Sequence, residues 1–142
     1  MTKRKYCFEL RSNPSELLTL CNYLEDFGNK MELPQKCLFE LNLGLDELFT
    51  NIISYGFRDG SDHQIKFTLA KDEETVVVRV EDDGIPFNPL KAGGPDLVQD
   101  LDSIKIGGLG IHLVKKMMDD IEYQRAEGKN KLTLKKGVDL VG

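Results

Sequence analysis

Residues 45–57 of this 142-residue chain read Leu-Asp-Glu-Leu-Phe-Thr-Asn-Ile-Ile-Ser-Tyr-Gly-Phe and contain the strongest structural signal in the sequence. They complete a pattern in which apolar side chains recur at steps of three and four residues, as on one face of an amphipathic helix. The pattern predicts a long helix over about 34–55, with Gly56 as its C-terminal stop.

Two polar residues of this helix are candidates for chemistry. Glu47 and Asn51 stand four residues apart, so they project from one face, on a stripe that also holds Glu40 and Gly44. A carboxamide oxygen can ligate Mg²⁺, and a carboxylate one turn away can accept a proton from a nucleophile. Taken alone, a glutamate and an asparagine four residues apart on an amphipathic helix are more often solvent-exposed residues without a functional role.

Toward the amino terminus, residues 5–11 alternate between apolar and charged side chains, which predicts a half-buried strand at or near a sheet edge. Asn13 is a candidate N-cap and Pro14 a first helical residue, so a second helix is expected to begin here. Gly28 is expected to end it.

Toward the carboxyl terminus, the alternating segment 65–69 and the nearly continuous apolar run 76–80 predict a hairpin, whose second strand is expected to be buried on both faces. Residues 83–110 are rich in glycine and proline, which is typical of a functional loop or lid or, alternatively, of a disordered segment. A helix and two strands follow, over about 109–118, 121–123 and 131–135. The order β-α-α-β-β-lid-α-β-β favours an α+β two-layer sandwich over a doubly wound parallel sheet.

Bulk properties limit the functional classes. The length suits one domain, residues 1–142. A net charge of −5 and a pI near 5.1 argue against direct nucleic-acid binding. No stretch has the apolar length of a membrane span or of a signal peptide, and the three cysteines form no metal or redox motif, so we expect a cytoplasmic protein.

Two further motifs could contact a ligand. Asp82, Asp83 and Gly84 end the predicted buried strand, where a carboxylate can accept from an amine and a glycine allows close backbone approach. Asp-Gly is also a common turn. The segment Gly107-Gly-Leu-Gly110 precedes a helix whose N-terminal N–H groups could bind phosphate, although a glycine cluster can also serve only as a cap. Neither a Walker A loop nor the dinucleotide-binding fingerprint is present.

The order of these motifs resembles the GHKL ATPases. Residues 45–57 look like their N box, 82–89 like their G1 box and 107–114 like their G2 box. The Glu-Leu-Phe-Thr-Asn form of the first is similar to the anti-sigma-factor serine/threonine kinases. The resemblance implies a Bergerat (histidine-kinase-like ATPase) fold, with a mixed, mostly antiparallel sheet covered by about three helices and an ATP lid over about 84–107.

The resemblance also implies roles for individual residues and a need for ATP and Mg²⁺. Glu47 would be the general base toward a serine hydroxyl, and Asn51 would ligate Mg²⁺. Asp82 would accept from the adenine amino group, with Gly84 close to the base. Gly108 and Gly110 would hold the phosphates, and the expected nucleotide-binding set is completed by Pro86, Lys105 and Leu109.

The partners implied are a STAS-domain anti-anti-sigma factor as substrate and a sigma factor as a further binding protein, and a homodimer is compatible with the family.

The sequence departs from the family pattern at three places. These are Ile106, where kinases of this kind often have a basic residue, Lys129-Asn130 in place of Gly-Thr, and Tyr55 in place of histidine. An ATP-dependent protein-binding switch without kinase activity is therefore the alternative. The catalytic domain of a two-component histidine kinase is disfavoured, because no phosphoacceptor hairpin is evident and neither His63 nor His112 has a suitable setting.

Overall fold

A computed structural model describes residues 4–56, 63–88 and 114–138. Five strands in these ranges form one sheet: β1 (Arg4–Arg11), β2 (Gln64–Asp72), β3 (Thr75–Asp82), β4 (Asp120–Ala126) and β5 (Lys129–Gly137). Their order across the sheet is β1-β2-β3-β5-β4, and all four pairings are antiparallel. The α+β sandwich is confirmed, as is the edge position of the first strand. The sheet was expected to be mixed, but its described strands contain no parallel pair.

Two helices cover one face of this sheet. A 3-10 turn, Pro14–Glu16, leads into α1 (Leu17–Lys30), and α2 follows over Gln35–Gly56. Asn13 caps the turn, because its side chain accepts a hydrogen bond from the Ser15 N–H at 2.9 Å. Residues 114–117 are also helical. None of the helices in the described ranges combines the length and apolarity that a membrane span requires.

The end of α1 differs from the prediction. Gly28 lies inside the helix, which continues to Lys30. A Cβ atom at position 28 would stand 2.8 Å from the Leu38 Cδ2 atom, so the glycine lets α1 and α2 approach each other. It is a packing residue and not a helix stop.

The second strand of the hairpin also differs from the prediction. Along β3, Val76, Val78 and Val80 are buried, whereas Val77 is only half-buried and Arg79 is exposed. The strand therefore buries one face, as expected where helices cover only one side of an antiparallel sheet.

The inner face of the sheet is apolar along the middle of β3 and becomes polar at the end of that strand. One cross-strand row consists of Phe8, Phe67, Val80, Leu132 and Tyr123. The next row, two residues along β3, begins with Leu10 and Ile65 and continues with Asp82, Asn130 and Arg125. Hydrophobic burial against the helices stabilises the first row, whereas the buried Asp82 and Asn130 of the second row need hydrogen-bond partners.

Candidate functional site

The polar corner is centred on Asp82, the last residue of β3. Only 5% of its surface is exposed. Its Oδ1 atom accepts hydrogen bonds from the Gly84 N–H at 2.9 Å and from Asn130 Nδ2 at 3.0 Å. Burial raises the pKa of the Asp82 carboxyl above its ordinary value, and these two hydrogen bonds lower it in part.

Asn130, opposite Asp82 on β5, connects this carboxylate to the following loop. It is 3% exposed, and its Nδ2 atom also donates to the Ile85 carbonyl at 2.8 Å. Its Oδ1 atom accepts from the Phe87 N–H at 3.2 Å and from the Tyr123 hydroxyl. One side chain thus binds β3, β4 and the loop 84–87 together.

Two more contacts hold this loop. Arg125 of β4 donates from Nη1 to the Gly84 carbonyl at 2.8 Å. On the other side, His63 Nδ1 and Asp83 Oδ1 are 3.3 Å apart. The loop after β3 is therefore anchored by side chains from both directions, which gives it a defined shape.

The second part of the site lies on α2. Asn51 is 1% exposed, and its Nδ2 atom donates to the Glu47 carbonyl at 2.7 Å. Its Oδ1 atom is buried and has no hydrogen-bond partner among the described residues. A buried acceptor without a donor costs about 1–3 kcal/mol, so this oxygen is a candidate ligand atom. Glu47 is half-buried one turn earlier on the helix.

The packing of α2 shows which end of the sheet these residues face. Near the start of the helix, Glu40 Oε1 lies 2.7 Å from Lys136 Nζ, and Lys136 pairs with Val76 of β3. Farther along, the ring of Phe49 lies 6.0 Å from that of Phe67, which pairs with Val80.

These two contacts give α2 the same direction as β3. Nine helical residues rise about 13 Å, and four strand residues also rise about 13 Å. The next residues of α2 therefore reach the level of Asp82. Asn51 and the polar corner lie at the same end of the helix-sheet interface.

The other two residues of the predicted polar stripe have structural contacts. Glu40 forms the ion pair with Lys136, whose ammonium group also donates to the Met117 carbonyl at 2.8 Å. A Cβ atom on Gly44 would stand 3.0 Å from the Met118 Cε atom. Gly44 therefore allows the residues after the predicted lid to pack closely against α2.

The structure describes only part of the predicted site. Glu47, Asn51, Asp82 and Gly84 have the positions given above, and Pro86 is exposed in the loop after β3. The remaining predicted nucleotide-binding residues lie outside the described ranges: Lys105, Gly108, Leu109 and Gly110. No group of three or more histidine, cysteine or acidic side chains that could hold a metal occurs in the ranges that are described.

Sequence reasoning missed the importance of Asn130. It noted only that Lys129-Asn130 departs from a family pattern, which made a contact from this region to the nucleotide uncertain. The available signal was an asparagine at the start of an otherwise alternating strand. Three of its four hydrogen bonds depend on the pairing of β3 with β5, which the sequence does not display.

Comparison with known proteins gives consistent matches. A family model described as a histidine kinase-like ATPase domain matches residues 10–136. The serine/threonine-protein kinase BtrW of Bordetella bronchiseptica is 30% identical over 134 residues, covering 94% of this chain and 94% of that protein. The serine-protein kinase RsbW of Listeria monocytogenes is 27% identical over 109 residues, covering 74% of this chain and 69% of the relative. The histidine kinase AdeS of Acinetobacter baumannii gives a TM-score of 0.49 at 14% identity, over 98% of this chain and 70% of that one.

Proposed function

Because this chain belongs to the histidine kinase-like ATPase domain family, we propose that it is an ATP-binding serine/threonine protein kinase of the anti-sigma-factor type. The substrate would be a serine of a STAS-domain anti-anti-sigma factor, and a sigma factor would be a second binding partner. The names of the relatives from Bordetella and Listeria support protein kinase activity.

The observation that carries the proposal is the buried Oδ1 atom of Asn51, which has no partner among the described residues and lies one helical turn after Glu47. An amide oxygen is a suitable ligand for Mg²⁺, which usually keeps several waters and takes few ligands from the protein when substrate phosphates supply others. Asn51 therefore fits a Mg²⁺ ion that arrives with ATP. The ion, when bound, would neutralise charge that develops on the phosphates.

The other residues have roles that follow from their chemistry. Asp82 would accept from the adenine amino group, and Gly84 and Pro86 would line the base pocket. Glu47, exposed enough to meet a protein substrate, would take the proton of the attacking serine hydroxyl. The resemblance of the G2 box adds Lys105, Gly108, Leu109 and Gly110 as phosphate-side residues.

The test is the substitution Glu47→Gln, which keeps the size of the side chain and removes its basicity. Phosphate transfer from labelled Mg·ATP to the STAS proteins of the same genome should fall by about 10² to 10⁴. Binding of Mg·ATP, measured by calorimetry, should be unchanged. Glu122→Gln is the matched control, because Glu122 is exposed on β4.

Two results would count against the kinase proposal. Equal transfer rates for Glu47→Gln and the wild type would remove Glu47 as the base. A wild-type protein that binds Mg·ATP and a STAS protein but transfers no phosphate would instead be an ATP-dependent binding switch, the alternative for which Ile106 is the sequence argument.

A further inference from the structure

We propose that Asn130 is the positioning residue that makes the site prefer ATP over GTP, by presenting Asp82 to the base only as a hydrogen-bond acceptor. This inference rests on the proposed role of Asp82 in adenine binding. Asn130 lies opposite Asp82 on β5, and its four described side-chain hydrogen bonds are to other residues of the protein.

Asn130 has no hydrogen-bonding capacity left for a ligand. A carboxamide offers two N–H donors and two acceptor lone pairs. The donors are used by Asp82 Oδ1 and the Ile85 carbonyl, and the lone pairs by the Phe87 N–H and the Tyr123 hydroxyl. Asn130 can therefore act on a nucleotide only through the groups that it holds.

The most important of these groups is the Asp82 carboxylate. Its Oδ1 atom is occupied by Asn130 and by the Gly84 N–H. No residue in the described part of the chain donates to its Oδ2 atom. This second oxygen can therefore accept a hydrogen bond from the base. The exocyclic group of adenine is an amine that donates, whereas guanine has a carbonyl oxygen at that position. An ionised Asp82 attracts the amine and repels the carbonyl.

The ionised form of Asp82 depends on Asn130. Burial raises the pKa of this carboxyl, and the hydrogen bond from Asn130 is the largest opposing contribution. The charged neighbours are Asp83, which raises the pKa further, and Arg125, which lowers it. His63 faces Asp83 across the loop. Without Asn130 the pKa of Asp82 would rise, and a protonated carboxyl could donate to the guanine carbonyl.

The same side chain also fixes the loop beside Asp82. Asn130 binds the Ile85 carbonyl and the Phe87 N–H, while Arg125 holds the Gly84 carbonyl. The position of the loop and the orientation of Asp82 are therefore set together. Loss of Asn130 should loosen the loop as well as the carboxylate.

The experiment is calorimetric titration of Asn130→Ala with Mg·ATP and Mg·GTP between pH 5.5 and 8.5, beside the wild type. We expect the ratio of ATP to GTP affinity to fall by about tenfold or more, the order expected for a lost buried hydrogen bond. The pH below which ATP binding weakens should move upward, because Asp82 must be ionised to accept from adenine. Asn29→Ala, an exposed position on α1, is the control.

Three variants separate this inference from the proposed function. Asp82→Asn should abolish the preference for ATP, since an amide can both donate and accept. Asn130→Thr, which keeps one hydroxyl donor for Asp82, should recover part of the preference. Should Asn130→Ala not fold, Asn130→Leu has a similar volume and gives the same readout, because it removes the donor that faces Asp82 and leaves no cavity.

The outcomes are distinct. If Asn130→Ala or Asn130→Leu lowers only the melting temperature, and keeps the nucleotide preference and the pH profile, Asn130 is merely structural and the inference is wrong. If the wild type shows no preference for ATP, or Asp82→Asn behaves as the wild type, the adenine-binding role of Asp82 fails, and the inference fails with it.

Discussion

Asn51 combines nearly complete burial with a polar atom that the described protein leaves without a donor. Such an arrangement lowers stability, because desolvation of the oxygen is not offset by a hydrogen bond. A ligand that supplies the missing interaction would offset this cost. At the residue scale, the proposed function therefore makes opposite predictions for stability and for binding at this position.

The substitution Asn51→Leu tests both. Leucine has a similar volume and no polar atom, so the ligand-free protein should be as stable as the wild type or about 1 kcal/mol more stable in urea denaturation. Affinity for Mg·ATP should fall about tenfold or more, and its dependence on Mg²⁺ should disappear.

Asn42 provides a matched control on the same helix. Its Oδ1 atom is likewise buried and has no partner in the described ranges, but its Nδ2 atom faces Cys21 Sγ at 3.4 Å, on the side of α2 next to α1. Asn42→Leu should leave Mg·ATP binding unchanged. Equal losses of affinity in both variants would show that the effect is not specific to a metal ligand.

At the scale of elements, the contact between α1 and α2 depends on Gly28. A Cβ atom there would lie 2.8 and 2.9 Å from the two terminal methyl groups of Leu38. Leu38 is half-buried and its methyl groups can move, which limits the strain. The overpacking should cost about 2 kcal/mol, and the higher helix propensity of alanine should offset about 1 kcal/mol of this. We therefore expect Gly28→Ala to destabilise the protein by about 1 kcal/mol.

The double variant with Gly28→Ala and Leu38→Ala tests whether contact with the Leu38 side chain causes this loss of stability. With Leu38→Ala in the background, the same Gly28→Ala change should be neutral or stabilising, because alanine favours a helix over glycine by about 1 kcal/mol. Denaturation of all four proteins gives the coupling free energy. A loss of stability that is unaffected by Leu38→Ala would contradict the contact.

Elements were predictable where a pattern is local. The period of α2, the cap at Asn13 and the hairpin of β2 and β3 all follow from neighbouring residues, and the structure confirms them. Gly28 was misinterpreted because glycine at a helix end and glycine at a close helix contact look alike in sequence. The valines of β3 were misinterpreted because an apolar run does not show how many layers cover a sheet.

The site was predictable to the same extent. The four-residue spacing of Glu47 and Asn51 on a helix predicts that they lie on one face. Asp82 and Gly84 are only two residues apart in the chain, so they are necessarily close in space. Asn130 reaches Asp82 only through the pairing of strands that are far apart in the chain, with 48 positions separating the two residues. Nothing local marks that asparagine as the centre of a hydrogen-bond network.

At the scale of the whole molecule, the proposed ligand should stabilise the native state by mass action. A nucleotide that binds only the folded form adds about 2.7 kcal/mol when its concentration is 100 times Kd. For a domain of this size, that corresponds to a rise in Tm of roughly 5–10 °C. Thermal unfolding with and without Mg·ADP measures the shift.

Two comparisons make this measurement specific. Mg·GDP at the same concentration should raise the Tm less than Mg·ADP, because Asp82 in its proposed role would favour the adenine amine. Omission of Mg²⁺ should reduce the shift in the wild type and have no effect in Asn51→Leu. An unchanged Tm at saturating Mg·ADP would contradict nucleotide binding by the folded domain.

The row formed by Asp82, Asn130 and Arg125 has a consequence for how the protein acquires its activity. Its members come from three strands, two of which follow the long segment after β3, so the row forms only when distant parts of the chain pair. Such long-range pairings form slowly compared with local hairpins and helices. A chain emerging from the ribosome can form α1, α2, β2 and β3 before β4 and β5 exist, but it then has no complete polar corner. Nucleotide binding at the proposed site would therefore stabilise only the completed sheet and would not stabilise the intermediates that form before β4 and β5 pair.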